Sequence, residues 1–218
     1  MSEPTITFGA AEGFGALEGW SAQSNDSTDQ YQRASVLDKN GNEAASKLHS
    51  RMQEVSTPYA AQAEAAPSLP ATLGTLVGTM ILTSISVSTT ADGFASMTLS
   101  GHNHTTNAHA ALLNSVAHGI TLTSGFGVTD FLGGTAGDNA SCISSSITIS
   151  CQHRDEDSGS GDHLVGENYN AMMEATSEWI GVPGTASSGW DEVSVVTRTD
   201  NQGFLRTTVS GTKKLTLA

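Results

Sequence analysis

Two nine-residue strings constrain this chain more than any other feature. GFASMTLSG at 93–101 and GFLRTTVSG at 203–211 share an opening Gly-Phe, a Thr at the sixth place and a closing Ser-Gly, at a constant spacing of 110 (203 − 93 and 211 − 101). Each follows an alternating β-branched run and a turn signal. The first run is TMILTSISVST at 79–89, with Ile81, Ile85 and Val87 on one parity and a turn at Asp92-Gly93. The second is 192–199, turning at Asp200-Asn201-Gln202-Gly203. Hairpins are therefore expected at 79–101 and 192–210. Two strand–helix–hairpin units, each too small to bury its own face, would pack as one pseudo-symmetric domain. Gly-Phe after a turn and Ser-Gly at a strand end also occur in unrelated hairpins, so the repeat is one of two readings. Under the repeat, Phe94 and Phe204 occupy equivalent places in the core.

Around these hairpins the pattern is mixed. Residues 1–30 are rich in Gly, Ser, Asp and Glu, with Phe8, Phe14 and Trp20 scattered among them, and read as an extended arm with apolar anchors. A strand is expected at 31–38, closed by the turn Asp38-Lys39-Asn40-Gly41-Asn42. EAASKLHSRMQEV at 43–55 has good helix formers, with Ala45, Leu48 and Met52 at helical spacing, and predicts a helix stopped by Ser56-Thr57-Pro58. The Ala- and Pro-rich 60–70 reads as a linker or short helix. A helix capped by Thr105 or Thr106 is expected at 107–118, a Gly-rich loop at 124–139, and a strand at 142–152. The best helical pattern is 164–180, where Tyr169, Met172, Met173, Thr176, Trp179 and Ile180 form one face before Gly181-Val182-Pro183. The expected fold is mainly β with flanking helices, a β-sandwich or partly open barrel. An arm at 1–30 precedes one domain at 31–218, with pseudo-repeats about 31–104 and 140–215.

Charge narrows the function. With 9 Lys+Arg against 22 Asp+Glu the net charge is −13, which argues against a nucleic-acid reader built on a basic patch and against docking to an anionic membrane. Charged residues make up only 14% of the chain, and Ser, Thr and Gly take their place, as suits short strands and an assembly surface. The N-terminus lacks a basic segment followed by an apolar one, and 73–87 is too short and interrupted to span a bilayer. A soluble chain made in the cytoplasm is expected. Cys142 and Cys151, nine steps apart on one strand, would stand roughly 30 Å from each other and read as free thiols.

Few residues suggest chemistry. His102 and His104, two apart at a strand end, would point to one face like a two-imidazole chelate, with His109 or His118 as a third ligand. Surface or capping roles explain the same histidines. HRDEDSGSGDH at 153–163 carries Asp155, Glu156, Asp157 and Asp162 but lacks the Gly and Glu placement of a calcium loop, and reads as a solvated acidic loop. Gly159-Ser160-Gly161 lies inside it and forms no nucleophile elbow. Trp20, Trp179 and Trp190 are candidates for a sugar-stacking platform, although Trp179 fits a core face. No catalytic, cofactor-binding or metal-binding residue is assigned, no cofactor is expected, and the chain reads as a non-enzyme.

SVLDKNGNEAASKLHSRMQEVS at 35–56, with the hairpins ISVSTTADGFASMTLSG and VSVVTRTDNQGFLRTTVSG, gives about half the chain a pattern that resembles a tailed-bacteriophage virion structural protein, most of all a tail tube protein. The resemblance implies a β-sandwich that stacks in rings. Strands line an acidic channel that DNA traverses without specific binding, and an arm bridges successive rings. It implies a homohexamer, with a trimer of pseudo-sixfold symmetry as the alternative if the repeat holds. Other tail or neck proteins would be partners, and the virion tail would be the location. Another virion ring or decoration protein (neck, terminator, baseplate or capsid) and a carbohydrate-binding surface module are the competing readings.

Overall fold

The structure, a computed structural model, describes residues 13–104, 114–135, 140–157, 163–184, 189–199 and 203–217. Its strands are β1 (Trp20–Ala22), β2 (Asp26–Leu37), β3 (Glu43–Ala61), β4 (Thr72–Leu73), β5 (Leu76–Val77), β6 (Met80–Thr90), β7 (Ser96–His104), β8 (Val116–Ala117), β9 (Ser141–Asp157), β10 (His163–Ile180), β11 (Glu192–Thr199) and β12 (Leu205–Lys214). One antiparallel sheet runs in the order β1-β3-β7-β6-β9-β10-β12-β11, with β2 beside β1 on β3 and β5 on β6. A separate two-stranded sheet joins β4 and β8.

Alternation gives the large sheet two unlike faces. Val55, Tyr59, Ile85, Val87, Leu99, Ile147, Ile149 and Trp179 point inward and are all buried. Leu73 of β4, Val116 of β8, Leu122, Phe131 and Leu132 belong to the same core, so connecting segments and the small sheet form the second layer of a sandwich-like arrangement. The opposite face is a field of hydroxyls that hydrogen-bond between strands: Ser56 to Ser100 at 3.3 Å, Ser86 to Thr148 at 3.2 Å and Thr176 to Ser210 at 3.4 Å.

The large sheet also repeats itself. β2, β3, β7 and β6 lie side by side in that order, and β9, β10, β12 and β11 follow in the corresponding order. Ala22↔Tyr59, Asp26↔Ser56 and Leu37↔Glu43 in the first set correspond to Cys142↔Trp179, Ser146↔Thr176 and Asp157↔His163 in the second, each displaced by 120 (142 − 22 and 179 − 59). The irregularity between Gln30 and Gln32 falls, with the same displacement, on that between Ser150 and Gln152. For β7 and β12 the displacement is 110: Val55↔Gly101 and Tyr59↔Met97 become Ala175↔Gly211 and Trp179↔Thr207. The change from 120 to 110 arises in the connection before the last hairpin, where 62–79 holds β4 and β5 and 181–191 is shorter. The Ser-Gly of both strings has a packing reason. A Cβ on Gly101 would stand 2.1 Å from the Ile81 carbonyl oxygen and 3.0 Å from the ring of Phe14, and one on Gly211 would stand 2.6 Å from Leu132 and 3.0 Å from the ring of Trp190.

Several expectations are corrected. The hairpins at 79–101 and 192–210 and the strands at 31–38 and 142–152 are present. The flanking helices are not: among the described residues there is no helix. The helix expected at 43–55 is the first two-thirds of β3, paired residue by residue with β2. Its helix formers are overridden by pairing that no local window contains: β2 along 43–56 and β7 from Met52 onward. The helix expected at 164–180 is β10. Its true period is two, with Ala171, Met173, Ala175, Ser177 and Trp179 buried and Met172, Glu174 and Thr176 exposed. The small residues on the buried parity hid the alternation. Of the helix expected at 107–118, residues 107–113 lie outside the described residues, and Val116 and Ala117 pair with β4. In the segment expected as an arm, the described residues 13–30 bring Phe14 and Trp20 into the core and supply β1 and the start of β2.

Phe94 and Phe204 do occupy corresponding places, but outside the core, at 51% and 55% exposure. Phe94 packs edge-on against Phe126, at 5.1 Å between ring centroids. Urea denaturation should therefore show Trp179→Ala and Tyr59→Ala each losing about 3–5 kcal/mol. Phe94→Ala should lose about 1 kcal/mol.

Candidate functional site

β6 lies between β7 and β9 and starts at Met80, whereas β7 continues to His104 and β9 to Asp157. Regular β6–β9 pairing begins only at Ser84↔Ser150. Past that point two short motifs face each other from the flanking strands, His102-Asn103-His104 on β7 and His153-Arg154-Asp155 on β9. In each, the outer residues are two apart and so share a face of their strand. The result is a compact group in which one donor atom from each of His102, His104, His153 and Asp155 lies within 4.8 Å of every other. Nε2 of His153 is 2.8 Å and Nε2 of His104 is 3.2 Å from the same oxygen, Oδ1 of Asp155. The His102 ring sits against His153 at 4.3 Å and edge-on to His104 at 5.3 Å between centroids. His102 and His104 are buried, and His102 borders a cleft of about 350 Å³ shared with Asp26, Glu54, Thr83 and Ser100 that leads to solvent.

The next layer of contacts fixes the group. Asn168 is held by three bonds to Asn114: its backbone N–H donates to Oδ1 (2.8 Å), its Nδ2 donates to the carbonyl (2.9 Å), and its own carbonyl accepts from Nδ2 (2.8 Å). With Nδ2 committed, Oδ1 of Asn168 is an acceptor, and Nδ1 of His153 donates to it at 2.8 Å. Nε2 of His153 is thereby aimed at Asp155. Two glycines make room. A Cβ on Gly166 would lie 2.7 Å from the His153 ring, and one on Gly74, whose φ is +73°, would lie 2.1 Å from Nδ2 of Asn168. Burial works against charge on His153, but its bonds to Asp155 and Asn168 outweigh that and raise its pKa. Burial likewise opposes charge on Asp155, and bonds from His104 and His153 overcome it, holding the carboxyl far below the usual range. Three imidazoles around one ionised carboxylate can hold either protons or a cation.

No family model and no curated protein sequence matches this chain.

The expected chelating face of His102 and His104 is present, but its partners differ from those expected. His109 lies outside the described residues. His118 is elsewhere, donating from Nε2 to the Pro70 carbonyl at 2.6 Å and accepting at Nδ1 from the Ile120 N–H at 3.1 Å. The partners come from 153–157, which is the end of β9 and not a loop. The available signal was the second His-x-Asp at the end of a predicted strand, matching the first His-x-His. Asp162 and the Gly159-Ser160-Gly161 string lie outside the described residues. Cys142 and Cys151 are free, and burial pushes their thiols up to about 12 and about 11, with Asp130 adding to the effect at Cys142. The tryptophans form no platform. Trp20 is buried and donates to the Ser68 carbonyl at 2.8 Å, Trp179 is in the core and Trp190 covers Gly211.

A second feature is the pair of sheet edges. Every residue of β11 is exposed, as are residues 26–30 and 33–37 of β2, including Val36, Val193, Val195 and Val196. Arg198 stands directly across from Arg206, a like-charge pairing that is unfavourable unless acids lie nearby. Arg206 has Glu178 at 3.7 Å.

Burial depresses the pKa of His118 below 6.5, against a smaller raising effect of the bond to Pro70. A neutral buried histidine stabilises fully above its unfolded pKa, and that contribution is lost as pH falls toward the depressed value. The stability advantage of wild type over His118→Gln in urea should therefore narrow between about pH 7.5 and about pH 5. A constant gap would contradict the neutral assignment.

Proposed function

We propose that the protein is a structural ring subunit, most like a phage tail tube protein, that closes head to tail through β11 of one copy and β2 of the next. The observation that carries this reading is the pairing of β6 with β9 inside the chain. It joins the last strand of one four-strand set to the first strand of the other, and the two free edges are the corresponding last and first strands, β11 and β2. Transferring Ser84↔Ser150 and Ser88↔Ser146 by the displacements of 110 and 120 pairs Ser194 with Gln30 and Arg198 with Asp26 of the neighbouring copy. Arg198 then gains the carboxylate that its position opposite Arg206 calls for. Two unlike edges that meet head to tail generate a closed ring when the rotation fits, and closure removes the exposed edges that otherwise invite aggregation.

Three chains supply six four-strand sets, so the sixfold character implied by the resemblance needs a trimer. The covered apolar face turns outward and the hydroxyl face lines the bore, with Glu54, Glu174 and Glu178 among serines and threonines. Such a surface repels phosphates and lets DNA slide without specific binding. Tight packing of β-edges in a virion tail needs neither catalysis nor a membrane. Stacked tubes distinguish a tail tube subunit from a neck, terminator, baseplate or capsid ring, which stays a single closed layer.

Charge exchange tests the register. Arg198→Asp and Asp26→Arg should each abolish rings in mass photometry and negative-stain images, and the two substitutions in one chain should restore them. A wild-type monomer at high concentration, or a double variant no better than either single one, overturns the proposal.

A further inference from the structure

We propose that His102, His104, His153 and Asp155 form a binding site for one divalent transition-metal ion, zinc above all, that pins the joint between the two four-strand sets. The donor set decides the class of ion. Three imidazoles and one carboxylate suit zinc and its neighbours, whereas calcium and magnesium take oxygen ligands. Tetrahedral coordination at 2.0–2.1 Å sets ligand atoms about 3.3 Å apart. The Asp155 contacts at 2.8 and 3.2 Å lie within about half an ångström of that separation. Donor atoms that all lie within 4.8 Å need to close by about 1.5 Å at most.

The surroundings have the form of a metal site. A ligating histidine ordinarily donates its other ring nitrogen to a fixed acceptor, which sets the tautomer and the aim of the ligating one. Asn168 does this for His153, and Asn114 fixes Asn168 through three hydrogen bonds. Gly166 and Gly74 leave the space these side chains occupy. The cleft beside His102 provides entry. Four protein ligands fill the coordination sphere, which makes the ion structural: it ties β7 of the first set to β9 of the second past Ser84↔Ser150, where the ladder between β6 and β9 has ended.

The corresponding positions elsewhere lack ligands. By the same displacements, His102 and His104 fall on Thr212 and Lys214, and His153 and Asp155 on Arg33 and Ser35. A joint between copies therefore has no such site, and stoichiometry is one ion per chain whether or not rings form. The site is thus independent of the assembly reading.

The test uses the full chain, stripped with a chelator and loaded with Co²⁺, which reports tetrahedral coordination through intense visible bands. The expected result is one Co²⁺ per chain, displaced by Zn²⁺ and not by Ca²⁺ or Mg²⁺. His104→Ala and Asp155→Asn should weaken binding by about 100-fold or more, and Asn168→Ala by roughly 10- to 100-fold. Because a variant can fail to fold, ¹⁵N spectra of the wild-type imidazoles give a second readout: Zn²⁺ should shift three of the 7 histidines. Absence of bound Co²⁺ and Zn²⁺, octahedral bands, affinity unchanged in folded His104→Ala, or zinc that shifts no histidine overturns the proposal.

Discussion

An antiparallel sheet must end somewhere, and each end presents a row of backbone N–H and C=O groups that only another strand or water can satisfy. That constraint organises this protein. One long sheet carries the core, and its strands follow one another in two sets with the same order and nearly the same register. Where the sets meet, β6 and β9 satisfy each other. Where they do not, β2 and β11 stand exposed on both faces. The chain therefore contains both the solution to the edge problem, at its centre, and the unsolved problem, at its two margins.

The covering layer on the apolar face follows from the same logic. A single sheet can bury only one face against its own chain here, because the longest connections, 62–79 and 114–135, both lie on that side with Leu73, Val116, Phe131 and Leu132. The other face avoids a second core by being made of hydroxyls that pair across strands. Its low charge density and its small side chains are two aspects of one choice. Serine and threonine keep the face wet and smooth without the long side chains that would crowd neighbouring strands.

Much of this was legible in the sequence, and the exceptions have physical reasons. β6, β7, β9, β11 and β12 announce themselves by β-branched alternation and turn residues, and the spacing of 110 between the Gly-Phe strings is that of the paired hairpins. β10 reads as a helix in the sequence because its buried parity holds small or polar residues, Ser177 and Ala175 beside Trp179, and β3 does so because 43–46 are exposed on both faces and carry no alternation. Hydrophobicity then clusters at three- and four-residue spacing by accident, while partner strands, which no local window contains, decide the outcome. The same distance effect hid half of the histidine cluster. His102 and His104 share a face by alternation alone, but their meeting with His153 and Asp155 depends on the ladder between β6 and β9 ending at Ser84↔Ser150, a property of three strands together.

The central joint and the margins differ in one instructive way. At the centre, past the last pair between β6 and β9, β7 and β9 bring together three histidines and an aspartate, so the two sets are fastened by side chains as well as by a ladder. At the margins the corresponding residues are Thr212, Lys214, Arg33 and Ser35, two of them cationic, which cannot share an ion and repel if brought together. A permanent joint within a chain tolerates, and gains from, a buried cluster that sets its geometry. A joint made between copies has to form from solvated edges, where burying such a cluster would first cost its desolvation. The histidines stand at the joint made within the chain, and the two margins keep solvated side chains.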